Sequence, residues 1–205
     1  MASQVIEEIT KLINKPDKDF FLTLLNSDGN AKKLPLDKKL EILENTYKVS
    51  QDFYNELVKN FKEQKPSEYA SILGVPVIYV NEEDSYNYNY IGLYSEKYKN
   101  ISVNLYVINR IKNAIKDYGL DQIVDAEIIN QVVIGHELFH YMQTLHPNTY
   151  IEQKQFDMKL FGIFKMKTKY LVLEEIAAIY FSKIITKLPY NPLVYNKINA
   201  KSKAK

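Results

Sequence analysis

Residues 132–146 read VVIGHELFHYMQTLH and hold all three histidines of the chain. His136 and His140 stand four apart, with Glu137 between them. Residues at that spacing lie on one face of an α-helix, a turn apart, so both imidazoles can reach the same point. The flanks decide where such a helix sits. Val133, Ile134 and Gly135 come before the pair, and no charge falls at Leu138, Phe139, Tyr141 or Met142. A segment this apolar packs in the core and leaves only its histidine face open to a cleft. The fold must therefore be built around this helix and must supply whatever completes its polar face.

Two imidazoles converging from i and i+4 suit one metal ion, and the glutamate at i+1 projects to the neighbouring side, where it can hold and deprotonate a water polarised by that metal. The sequence contains no cysteine. This excludes disulfides, thiolate ligands and a cysteine nucleophile, so a metal here rests on histidine and carboxylate donors.

The third donor has three candidates. His146 follows His140 by six residues, the spacing of the extended motif H-E-x-x-H-x-x-G-x-x-H. In that motif a glycine ends the helix in a left-handed turn, but here Gln143 stands at its position, where positive φ is disfavoured. If the helix continues, His146 lies about 240° around from His140 and misses the metal. The other candidates lie in LVLEEIAAIYFSKIITKLP, residues 171–189. On a helical wheel Ala177, Phe181, Ile184, Ile185 and Leu188 share one side, and Ser182, Lys183, Thr186 and Lys187 mark the opposite one. Glu175 falls among the polar residues. Glu174 falls on the apolar side, one turn before Ala177, Ala178 and Phe181, where a carboxylate needs a partner or a metal. The wheel favours Glu174, with Glu175 and His146 as alternatives.

Around this segment the chain alternates helical and strand patterns. Residues 3–14 and 19–26 read as short helices, and SDGN at 27–30 as a turn. From Leu36 to about Glu63 apolar residues recur at helical spacing, up to Pro66. GVPVIYV (74–80), YIGLYSE (90–96) and NISVNLYVI (100–108) read as strands, the last of them a candidate edge for an added peptide strand. A helix is expected over 107–117, another through the histidines to Pro147, and a last one over about 170–188, whereas 148–168 has little pattern. The order gives an α+β fold. Residues 1–65 form an N-terminal helical region packed on the core, 66–192 a domain carrying the histidines, and 193–205 a basic tail containing Lys201, Lys203 and Lys205.

With 205 residues and 46% hydrophobic content, the chain is long enough to bury a core. A net charge of +2 gives no reason to expect nucleic acid as a partner. No window suggests a membrane span, and MASQVIEEITKLINK does not read as a signal peptide, so a cytoplasmic protein is expected.

The pairing of VVIGHELFHYM with LEEIAAIYFSKIITKLP resembles the gluzincin zinc metallopeptidases, and more narrowly the small ImmA/IrrE-like HExxH family. The resemblance covers about residues 74–192. It implies a zincin-like fold with N-terminal helices, a small mixed sheet, the HExxH helix and a C-terminal helix bearing a ligand. It further implies Zn2+ held by His136, His140 and Glu174, with Glu137 as general base and a peptide or protein as substrate. Ala178 stands where many gluzincins carry Asp or Asn. Tyr170, Tyr180 and His146 are the candidates for stabilising an oxyanion. The alternative expectation is a catalytically weak protein of the same fold, with a structural or sensing metal.

Overall fold

The structure is a computed structural model describing residues 2–83, 90–160 and 164–203. Among these residues it is a mostly helical α+β fold with a small three-stranded sheet. Two short helices, α1 (Ala2–Ile13) and α2 (Asp17–Ser27), precede a 3-10 turn at Ala31–Lys33 and the long helix α3 (Leu36–Phe61). The periodic apolar face of α3 is buried through Ile42, Leu43, Val49, Phe53 and Leu57. Lys62, with φ of 62°, ends the helix and donates its N–H to the Val58 carbonyl at 2.8 Å. Pro66 does more than stop a helix, since it opens the short helix α4 (Pro66–Ile72), where its missing N–H is no loss.

The sheet comprises β1 (Val77–Val80), β2 (Gly92–Ser95) and β3 (Asn100–Asn104), in the order β1-β3-β2. β1 runs parallel to β3 and β2 antiparallel to it. β3 is therefore the central strand, with both edges already hydrogen-bonded. The expectation that residues near 100–106 could accept an added peptide strand is corrected by this order. The third strand is also shorter than its sequence pattern suggests. Asn104, nearly fully buried, accepts the Tyr106 N–H at 3.1 Å and so caps helix α5 (Leu105–Asp117), which turns LYVI into the first turn of a helix.

Helix α6 (Ile129–Leu145) carries the histidines. Asp125 does not cap it directly, but its carboxylate accepts the Glu127 and Ile128 N–H groups at 2.8 and 3.2 Å, just ahead of the first turn. The poorly patterned stretch that follows forms the short helix α7 (Tyr150–Gln153) and a hairpin of β4 (Gln155–Leu160) and β5 (Phe164–Lys169), paired from Gln155 with Lys169 to Leu160 with Phe164. Its strand signal was present in the alternation of apolar and charged residues in QFDMKL and FKMKTK.

Helix α8 (Leu171–Thr186) lies at the centre of the molecule, packed on α6 along one side and on α2 and α3 along others. Phe139 of α6 meets Phe53 of α3 at 5.3 Å and Phe181 of α8 at 5.7 Å between ring centres, so three helices share one aromatic contact. Ser50 of α3 donates its hydroxyl to the Ala177 carbonyl at 2.8 Å. The buried apolar residues form one continuous cluster from Val5 to Ile198, so the N-terminal helices pack on the same core as the histidine helix. No helix among the described residues is long and apolar enough to cross a membrane.

The segment expected as a basic tail forms helix α9 (Leu193–Ser202). Val194, Tyr195 and Ile198 make an apolar stripe that is buried against α5 and α1, while Lys201 reaches Glu8 at 2.6 Å. The Tyr195 hydroxyl donates to the Asp125 carbonyl at 2.6 Å and lies 2.9 Å from that of Tyr190, which in turn accepts the Asp125 N–H. The lysine-rich composition hid an amphipathic helix. Ile198→Ala should destabilise the protein by about 2–5 kcal/mol in chemical denaturation; no change would show that residues 193–202 behave as a solvated tail.

Candidate metal centre

The spacing of His136 and His140 does what the sequence requires of it. Their Nε2 atoms lie 3.3 Å apart and point toward the same spot. The third group at that spot is Glu175, whose carboxylate oxygens lie 3.5 Å from His136 Nε2 and 3.8 Å from His140 Nε2. One donor atom from each of the three residues falls within 4.8 Å of the others. Tetrahedral donors bonded at about 2.0–2.1 Å stand about 3.3 Å from one another, so the observed separations fit a single small cation with only slight adjustment. Two neutral nitrogens and one carboxylate oxygen also suit zinc chemically.

The structure brings Glu175, and not Glu174, to the histidines. The wheel failed because α8 has no solvent side along most of its length. Ser182, taken as a marker of the polar face, is fully buried and donates its hydroxyl to the Ile179 carbonyl at 2.8 Å. The stripe that meets α6 runs through Glu175, Ala178, Ser182 and Ile185, at spacings of three, four and three. Gly135 of α6 faces it directly, since a methyl group there would lie 3.0 Å from Ile185 Cγ2 and 3.4 Å from Ser182 Cα. Small groups on both helices let them approach closely, and the carboxylate one turn before Ala178 arrives at the imidazoles. Glu174 faces the end of α6 instead, close to Gln143, Glu152 and Lys169. Burial, reinforced by the charge of Glu152, raises its pKa.

The other local candidates are engaged elsewhere. α6 continues to Leu145 without a left-handed residue, and His146 points to α3, where it lies 3.1 Å from Glu56 and 5.1 Å from the Phe53 ring centre. Tyr180 stacks on Tyr47 at 4.5 Å, on the side of α8 that meets the N-terminal helices. Tyr170 is buried in the electrostatic range of Asp28 and Tyr150.

Glu137 is nearly buried and sits where β2 crosses α6. Its Oε2 accepts the Tyr94 N–H at 2.8 Å. Gly92 makes this crossing possible, because a Cβ there would lie 2.5 Å from Val133 Cγ1 and 2.8 Å from Glu137 Oε1. Neither Gly92 nor Tyr94 stood out in the sequence, although a glycine inside a strand pattern is a signal of close backbone approach.

The electrostatics follow from the packing. Burial raises the Glu137 pKa, against the pull of His136 and the Tyr94 N–H. Burial, together with the neighbouring His136, pushes His140 down to about 4. At His136 burial disfavours the charged ring, but the Glu175 hydrogen bond and the charges of Glu137 and Glu175 outweigh it and raise the pKa. The hydrogen bond to His136 is the main cause of the lowered pKa of Glu175.

No protein-family model, curated protein or solved structure matches this chain. The site rests on its own geometry. Glu175→Ala should weaken zinc binding by more than the roughly 10–100-fold that follows loss of a group supporting a ligand, whereas Glu174→Ala and His146→Ala should keep wild-type zinc content by mass spectrometry. Retention of zinc in Glu175→Ala, with loss in Glu174→Ala, would reverse the assignment. Gly92→Ala should destabilise the fold by about 1–3 kcal/mol through overpacking, and should displace Glu137 in a crystal structure of the variant.

Proposed function

We infer that the chain is a zinc-dependent metallopeptidase of the zincin type, hydrolysing peptide bonds in a peptide or protein substrate. The observation that carries this reading is the convergence of His136, His140 and Glu175 within 4.8 Å, with Glu137 on the same helix as the two histidines and oriented by a strand backbone. Bound there, zinc would supply a Lewis acid that polarises both the scissile carbonyl and a water molecule. The rest of the chemistry belongs to the chain. Glu137 takes a proton from the attacking water and returns it to the leaving amine, and burial raises its pKa, which makes it a stronger base. The Tyr94 N–H fixes one carboxylate oxygen, and Glu137 lines the same cavity as His136 and Glu175. Glu175 keeps 58% of its side-chain surface exposed, so substrate can approach from its side.

One observation favours a second reading. Glu137 retains only 7% of its surface, which suits a metal site used for structure or sensing, in a protein without peptidase activity. The two readings separate on a pair of measurements. In the first, a peptide library incubated with zinc-loaded protein is cleaved, and Glu137→Gln slows cleavage by on the order of 10²–10⁴-fold with zinc content unchanged. Cleavage that persists in Glu137→Gln would remove Glu137 from the chemistry, and zinc binding without any cleavage by wild type would leave the sensing reading in its place.

A further inference from the structure

The β4–β5 hairpin forms a two-stranded sheet of its own, and outside that pairing the element packed most closely on it is α7. A hairpin of two strands is marginally stable by itself. Its register sorts its residues into two chemistries. Leu160 stands opposite Phe164, Met158 opposite Met166 and Phe156 opposite Thr168. Successive positions on a strand belong to opposite faces, so these residues share one face and the intervening ones share the other. On that second face Lys159 stands opposite Lys165, and Asp157 opposite Lys167. Like charges in directly opposed positions destabilise a strand pair. The pairing of Lys159 with Lys165 therefore calls for an anion from outside the hairpin.

Positive charge is concentrated here. Residues 154–169 hold five lysines and one aspartate, a net of +4, whereas the whole chain carries +2 and the remainder therefore −2. Lys169 is paired with Glu152, and Lys154 lies over the Tyr150 ring, which leaves Lys159, Lys165 and Lys167 to the cationic face. A soluble acidic partner would match that face alone. A bilayer containing anionic lipids matches both, offering acyl chains to the apolar face and phosphates to the lysines, whose long stems bridge the two depths. β4 and β5 each pair with one strand only. Their outer backbone groups need water, which the headgroup region supplies and the hydrocarbon core does not. We propose that the β4–β5 hairpin docks on the surface of an anionic lipid bilayer, with Phe156, Met158, Leu160, Phe164 and Met166 at the acyl boundary and Lys159, Lys165 and Lys167 among the phosphates. β5 passes into α8 through Tyr170 alone, so docking holds Glu175, six residues beyond Lys169, close to that surface. Docking of this kind is independent of the chemistry at the metal centre.

The test uses the full chain and sedimentation with vesicles of phosphatidylcholine, with or without phosphatidylserine. The chain should sediment with the phosphatidylserine vesicles and stay in solution with phosphatidylcholine alone. Each lysine near an anionic surface strengthens binding about 5-fold, so replacing Lys159, Lys165 and Lys167 together by Gln should weaken it on the order of 100-fold, with thermal unfolding unchanged. The double variant Leu160→Ser, Phe164→Ser should weaken it on the order of 10–100-fold. The sequence has no tryptophan, so Phe164→Trp supplies a single reporter of depth. Its emission should shift to the blue, and lipids brominated in the acyl chains should quench it, only when phosphatidylserine is present. Wild type that does not sediment with phosphatidylserine vesicles would overturn the docking, and so would sedimentation that survives loss of the three lysines. Sedimentation without quenching would overturn the place given to the apolar face. An acidic protein partner would show itself differently: a soluble polyglutamate peptide would bind as tightly as the vesicles, the Leu160→Ser, Phe164→Ser variant would bind both like wild type, and the lipid surface would be ruled out.

Discussion

The close approach of α6 and α8 is the contact on which the rest of the site depends. Gly135 presents no side chain to α8, where Ser182 and Ile185 lie directly against it. Glycine in a helix interior weakens the helix by roughly 1 kcal/mol relative to alanine, so its place here makes sense only through the packing it allows. With the axes this close, a carboxylate on one helix and two imidazoles on the other meet without long side chains having to search for each other. Helices held further apart by a larger residue at position 135 would leave Glu175 short of the histidines, whatever the local sequence around HELFH.

A second element sets the remaining group. The strand β2 lies across α6 with Gly92 against Val133 and Glu137, and the next backbone N–H but one, that of Tyr94, holds the Glu137 carboxylate. The register of β2 on β3 places Gly92 opposite Val103 and Tyr94 opposite Ile101. Both partners are fully buried, so the strand cannot slip by a residue without turning its buried face to solvent. The orientation of Glu137 is therefore tied to the core through the pairing of two short strands.

Most of the helices, and the pair of histidines, were legible because they depend on local periodicity. The strands were legible in position but not in length, since Asn104 converts the end of a hydrophobic run into a helix cap. What the sequence hid depends on which faces of an element are buried. α8 is covered on several sides along most of its length, and a wheel drawn for a helix with one wet side assigned Ser182 to water and Glu174 to the metal. The structure buries Ser182 and turns Glu175 to the histidines, one residue and about 100° away. α9 was hidden for the opposite reason. Its lysines dominate the composition, and the three buried residues that fix it, Val194, Tyr195 and Ile198, carry weight only once α5 and α1 are there to receive them.

The same logic explains why the site is not completed locally by His146. For that histidine to swing back, the backbone near Gln143 would have to adopt the left-handed conformation that a glycine permits. Instead α6 stays helical to Leu145, with the Phe139 ring packed between Phe53 and Phe181. Unwinding the helix at Gln143 would sacrifice backbone hydrogen bonds in a segment whose next turn back is locked into the core. His146 emerges on the far side of the helix, where Phe53 and Glu56 of α3 are waiting. Helix continuity thus sends the third histidine to the N-terminal helices and leaves the third place beside His136 and His140 to Glu175 of α8. That carboxylate is half exposed while the two imidazoles are largely covered, so the open side of the three-residue group is the side of Glu175.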